Sequence, residues 1–190
     1  AIERNTVPLP EYQKLAKEEG IFANGEEVLA KSYELTEAKE DFIFIDLDSM
    51  KLSVYGKGRE IKSFKVMAKG REGSFFETPS GFYKIEYKEA THFSSIGKVW
   101  MPYSMHIFGN YFIHGWPYYP SGKPVEAAYS GGCIRLSKQD SKELFSLAKE
   151  GMQVLIYNKM GGPPVFAENS YFKRVSSAKN TRPLAISAGA

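Results

Sequence analysis

One cysteine in 190 residues excludes an internal disulfide and any multi-cysteine zinc site, so Cys133 is left with burial or reactivity as its role. Long apolar runs are missing too. The longest, such as residues 42–45, are strand-sized and fall far short of the roughly 18 to 20 residues that a membrane-spanning helix needs. Charge of one sign is scarce: 25 Lys and Arg face 22 Asp and Glu, a formal balance of +3, and no basic run concentrates the surplus. That argues against a nucleic-acid footprint, and no nucleic-acid partner is expected. The chain opens at Ala1 with neither an initiator Met nor a secretory apolar segment, which fits a processed or trimmed form of a longer product. Absence of a signal here says nothing about export.

What is present is the composition of a folded globular chain, 43% hydrophobic, 14% aromatic and 25% charged, long enough for one domain with a modest extension. Residues 9–20 read as a short helix, with Pro10 suited to its first turn and Gly20 to the position just past its end, and residues 26–38 read as a second. Both carry only thin apolar stripes. Residues 1–39 are therefore taken as a helical extension packed on a main domain of residues 40–160, with 161–190 as a tail that starts at a Gly-Gly-Pro-Pro break.

From Asp41 the texture is that of strands. FIFIDLD, KLSVYG and REIKSFKVMAKG, punctuated by Gly56-Lys57-Gly58, suggest an antiparallel meander. Residues 82–88 alternate apolar with charged side chains as one half-buried strand does, and residues 105–114 read as another. After Cys133, Ser137 is placed to cap a helix that carries Leu144, Phe145, Leu147 and Ala148 and closes at Gly151. Residues 152–157 read as a last core strand.

Of the three histidines, His92, His106 and His114, only His114 has a suggestive setting: it ends an apolar strand and precedes Gly115. Further on comes Ser130-Gly131-Gly132-Cys133-Ile134-Arg135, small residues leading into a thiol shortly before a helix, as expected of an exposed nucleophile on a turn. A thiol with its ordinary pKa of about 8.5 is only a few per cent ionised at neutral pH, so it needs a neighbouring imidazole. His114 is that candidate. With no Asp or Asn beside it in sequence, a backbone carbonyl such as that of Gly115 is expected to fix its other nitrogen. Glycine before the cysteine lets backbone amides approach a developing oxyanion, which makes the Gly132 and Cys133 N–H groups the expected donors. Arg135 either braces the turn or binds a substrate carboxylate. Taken one at a time, a lone cysteine is more often a small buried hydrophobe and Gly-Gly more often a plain turn. Together they form a constellation with a chemical purpose.

The sequence resembles the L,D-transpeptidase catalytic domain, also called YkuD-like, of bacterial cell-wall enzymes. The resemblance rests on His114-Gly115 followed by Ser130-Gly131-Gly132-Cys133-Ile134-Arg135, on Thr78-Pro79-Ser80-Gly81-Phe82-Tyr83, and on Met101-Pro102-Tyr103-Ser104-Met105, and it spans about residues 42–157. Position 131, often His in relatives, is Gly here. The resemblance implies a mostly β fold with some α: a β-sandwich of mixed sheets, a helix after the nucleophile, and the N-terminal helical extension. It implies that Cys133 attacks the L-to-D peptide bond of a peptidoglycan stem tetrapeptide with His114 as base and then acid. Terminal D-Ala leaves, and the acyl group passes to an amine to form a 3-3 cross-link, or to water. Gly115 would orient His114, Ser130 would support the turn, and Gly132 and Cys133 would supply the oxyanion hole. No metal or organic cofactor is implied. Cys133 is also the place for a carbapenem adduct, and the substrate puts the protein in an extracytoplasmic compartment. Sortases pair Cys, His and Arg at other spacings, and NlpC/P60 peptidases place the cysteine before the histidine. A catalytically idle wall-binding module remains the reading from a different class. Tyr103 and Met105 are taken as core rather than site.

Overall fold

A computed structural model describes residues 20–72, 76–95 and 97–159. The first expected helix lies outside these residues except for Gly20, and the tail from 161 lies wholly outside them.

The fold is mostly β, two mixed sheets with two described helices. The first sheet has the order β3-β2-β1-β9-β4, from β1 (Phe42–Asp46), β2 (Lys51–Gly56), β3 (Arg59–Lys65), β4 (Gly81–Lys84) and β9 (Gln153–Tyr157). The second has the order β5-β6-β7-β8, from β5 (Tyr87–Ser94), β6 (Val99–Phe108), β7 (Tyr111–Gly115) and β8 (Ile134–Leu136). Each sheet is antiparallel except for one parallel pair, β1 with β9 and β7 with β8.

Between the sheets lies the main core. Ile43 and Ile45 of β1, Val154 and Ile156 of β9, Met105 and Ile107 of β6, Ile113 of β7 and Ile134 and Leu136 of β8 all pack into it. Alternate residues of β1 and β9 face the other way. There Phe42, Phe44 and Leu155 meet Ala23, Val28 and Leu35, the last two from helix α1 (Gly25–Glu37). Asn24 starts that helix with a reciprocal cap: its side chain accepts from Glu27 N at 2.9 Å, and the Glu27 carboxylate accepts from Asn24 N at 3.0 Å.

Three expectations from sequence change in detail. Residues 82–88 are not one strand but the end of β4 and the start of β5, in different sheets. Ile85 N–H bonds Met152 O in one direction and Glu86 N–H bonds His106 O in the other. Apolar alternation runs unbroken round this corner because Tyr83 and Ile85 both face the shared core. Residues 105–114 likewise divide into β6 and β7 at Gly109-Asn110, with Phe108 paired to Tyr111 across the two-residue turn. Helix α2 (Lys138–Leu147) begins as expected, Asp140 N donating to Ser137 Oγ at 3.0 Å, but ends before Gly151. Lys88 Nζ donates to the Phe145 and Ala148 carbonyls at 2.6 and 2.8 Å, placing positive charge at the helix's C-terminal end.

Candidate active site

In β7, Tyr111 and Ile113 point into the main core, so strand alternation turns Phe112 and His114 to the opposite face of the sheet. Tyr103, held at φ 50°, interrupts that alternation in β6. Met105 and Ile107 face the core, whereas Val99 and Met101 come to the other side, where they pack with Phe112, Val125 and Cys133. The parallel register pairs Ile113 with Ile134 and His114 with Arg135. Imidazole and guanidinium thus stand side by side on one face, with Cys133 at the entry to β8.

His114 Nδ1 lies 2.6 Å from the Gly115 carbonyl. A carbonyl only accepts, so Nδ1 carries the hydrogen and Nε2 is the nitrogen left to act as a base. His114 is close enough to the Cys133 thiol for its ring to influence the ionisation of the sulfur. Burial of the sulfur raises the thiol pKa; the hydrogen bond to His114 and the charge of that ring act in the opposite direction. The sulfur also lies 3.5 Å from the Asn110 carbonyl.

The turn that carries Cys133 is pinned from several sides. Gly132 has φ 117°, a conformation open to glycine and strained for other residues. Ser130 Oγ donates to the Cys133 carbonyl at 2.5 Å and accepts from Gly132 N at 3.0 Å. Thr78 Oγ1 donates to the Gly132 carbonyl at 2.8 Å and accepts from Gly70 N at 3.1 Å. Alongside, Ser130 N bonds Lys69 O, and Arg135 exchanges backbone hydrogen bonds with residues 67 and 68.

Arg135 Nη1 donates to the Ala127 carbonyl at 2.9 Å, and its guanidinium sits 5.2 Å from the centre of the Trp116 ring. Both contacts brace the stretch between His114 and Cys133. Burial lowers the Arg135 pKa, while the Cys133 and Tyr119 groups raise it. Its Nε is buried without a hydrogen-bond partner. Gly115 sits where α2 meets β6: a Cβ there would run into Ser141 Oγ and approach Pro102 to 3.0 Å.

A family model described as the L,D-transpeptidase catalytic domain (YkuD) matches residues 40–156. The chain belongs to the L,D-transpeptidase catalytic-domain family. No curated protein matches it. Among solved structures, an L,D-transpeptidase from Stackebrandtia nassauensis is 29% identical with a TM-score of 0.53, over 62% of this chain and 55% of that one. The Ldtfm–avibactam carbamoyl enzyme is 26% identical with a TM-score of 0.50, over 62% and 49%. The L,D-transpeptidase from Mycobacterium smegmatis, 18% identical with a TM-score of 0.51 over 62% and 58%, shares the fold. The match thus spans about half to three-fifths of these proteins' own length.

Within this transpeptidase-family domain, two sequence-based expectations are corrected. Cys133 is not exposed: it and His114 are each only 2% accessible, because the sulfur faces the Phe112 side of the sheet rather than the outside of the turn. The Gly132 N–H is already engaged by Ser130 Oγ, so it does not stand ready as an oxyanion donor. Met105 is core, as read from sequence, and Tyr103 lines a separate cavity of about 440 Å³ with Gln139, Lys142 and Phe145. Among the described residues no group of three or more His, Cys, Asp or Glu side chains could hold a metal. Sequence reasoning assigned no site role to Thr78, Asn110, Trp116 or Ala127. Thr78 had a signal, since it opens the Thr-Pro-Ser-Gly segment; the others act through backbone carbonyls or a ring face, which composition does not mark.

Proposed function

We propose that this protein is a cysteine-dependent L,D-transpeptidase acting on peptidoglycan stem tetrapeptides. The observation that carries the reading is that His114 acts on the Cys133 thiol and favours its ionised form, with the ring's Nδ1 held by the Gly115 carbonyl. Nε2 of His114 takes the thiol proton as the sulfur attacks the carbonyl of the L-to-D bond, and returns it to the leaving amine of D-Ala. A thioester joins Cys133 to the shortened stem. The side-chain amine of a second stem then attacks that thioester, its proton passes to His114, and the sulfur is released as a 3-3 cross-link forms. Ser130 holds the turn, and Arg135 braces the stretch between His114 and Cys133 through the Ala127 carbonyl and the Trp116 ring. The substrate places the protein in an extracytoplasmic compartment. The avibactam carbamoyl enzyme among its structural relatives supports a carbapenem adduct at Cys133 here as well.

The test is incubation with a disaccharide tetrapeptide, with products read by mass. Loss of D-Ala with a covalent dimer supports transpeptidation, whereas loss without dimer assigns the acyl-enzyme to water and makes the protein an L,D-carboxypeptidase. No product, and no carbapenem adduct on folded protein, would leave an idle wall-binding module.

A further inference from the structure

Thr78 lies 54 positions before Gly132, is 1% accessible, and has no route to substrate except through the backbone it holds. Its hydroxyl has one orientation available. The Gly70 N–H points at Oγ1 from one side at 3.1 Å, so the hydroxyl hydrogen is directed to the Gly132 carbonyl at 2.8 Å. That carbonyl and the N–H of Cys133 are the two ends of one planar trans peptide unit, so fixing the direction of one fixes the direction of the other. At φ 117°, Gly132 lies outside any ladder or helix that would otherwise hold this plane. Donation to the carbonyl also polarises the amide and strengthens its N–H as a donor. Ser130 Oγ engages the neighbouring Gly132 N–H in the same turn.

We propose that Thr78 is a positioning residue for acyl transfer: through the Gly132 carbonyl it aims the Cys133 N–H at the oxyanion that forms when the thiolate adds to the substrate carbonyl. This rests on the reading of Cys133 as the nucleophile. Thr78 holds no proton in the reaction and touches neither substrate nor sulfur; it acts on the transition state only through the peptide plane.

Two rates separate this role from a merely structural one. Release of D-Ala from the disaccharide tetrapeptide passes through an oxyanion, whereas alkylation of Cys133 by iodoacetamide does not. Thr78→Val keeps the shape and removes the hydroxyl. It is expected to lower kcat for D-Ala release by about 10- to 100-fold, with KM changed by less than about threefold. The pH profile of alkylation should stay where it is in the wild type, and Thr78→Ser should restore turnover. Should the valine variant not fold, Thr78→Ala leaves room for a water between Gly70 and Gly132 and is read in the same way, with a smaller but equally selective loss. A folded variant without the hydroxyl that releases D-Ala at the wild-type rate overturns the proposal, as does one whose alkylation slows in step with turnover. Wild-type protein that forms no acyl-enzyme would overturn the parent reading instead.

Discussion

Each sheet of this domain contains one parallel pair of strands, and the two pairs are put to different uses. In β1 and β9, Ile43, Ile45, Val154 and Ile156 fill the space between the sheets, while Phe42, Phe44 and Leu155 fill the space under α1. Both faces are covered by apolar side chains. In β7 and β8, Ile113, Ile134 and Leu136 fill the core face, while the other face carries His114 beside Arg135 next to a small apolar cluster that includes Phe112 and Cys133. No described helix covers that second face. A parallel pair covered on both sides reads as a continuous apolar run and does nothing but hold the sheet. A pair whose second face mixes polar with apolar groups places His114 and Arg135 in register at the spacing of neighbouring strands, about 4.8 Å.

The sharpest way to break the comparison is to exchange one atom on the chemical pair. Cys133→Ala should lower D-Ala release by at least about 10⁴-fold, as loss of a nucleophile does in enzymes of this type. Its unfolding free energy in urea should shift by about 1 kcal/mol, the scale of one small buried group. Residual turnover above that level, from protein with a normal urea curve, would place the chemistry elsewhere.

His114→Gln comes next. Of the influences on the thiol, burial favours the neutral form, and His114, by hydrogen bond and by charge, favours the thiolate. Removing the ring removes influences that lower the pKa while burial, which raises it, stays, so the titration of Cys133 moves to higher pH. Alkylation by iodoacetamide followed from pH 5 to pH 10 should show the inflection displaced upward, with a slower rate at pH 7. D-Ala release should fall by about 10²- to 10⁴-fold, the range for loss of a general base. An unmoved inflection would mean that the imidazole does not govern the sulfur.

The structural pair should respond in the opposite sense. Ile156→Ala, in β9 and fully buried, should cost about 2 to 5 kcal/mol of stability by leaving a cavity between the sheets. D-Ala release per folded molecule should stay within about twofold of wild type, since Ile156 belongs to the first sheet and His114 to the second, and residues that share no partner usually act independently. Urea titration and a rate normalised to folded protein measure both. If the rate collapses while the fold persists, the two pairs are coupled and the division of labour drawn above is wrong.

Much of this division is visible in the chain before any coordinates. The apolar runs in β1 and β9 mark a strand buried on both faces, and His114-Gly115 with Ser130 to Arg135 mark the chemistry. Corners were not visible. Residues 82–88 keep a two-residue period while passing from one sheet to the other, because periodicity records which side faces the core and not which strand is the neighbour. The break at Tyr103 was hidden for a related reason: a positive φ at a tyrosine has no compositional sign, yet it brings Met101 to the Cys133 side while Met105 stays in the core. Burial of Cys133 was also missed, since small residues around a thiol suggest access, and here they serve close packing of the turn against Thr78 and Ser130.

The smallest effect concerns what covers the structural pair. Helix α1 supplies Val28 and Leu35 to the outer face of the first sheet, and its start is fixed by the reciprocal bonds of Asn24 and Glu27. Asn24→Ala removes the side-chain acceptor for Glu27 N and should cost about 1 kcal/mol, the usual price of a lost N-cap. Asn24→Asp keeps an acceptor at the same reach and adds negative charge at the helix start, where the backbone N–H groups favour it, so it should recover most of that loss. Neither change touches the face that bears His114, and D-Ala release should be unaltered in both. A lid-like role for α1 would show itself here as a change in turnover out of proportion to the change in stability, and a flat rate across the three proteins confines α1 to holding the sheet.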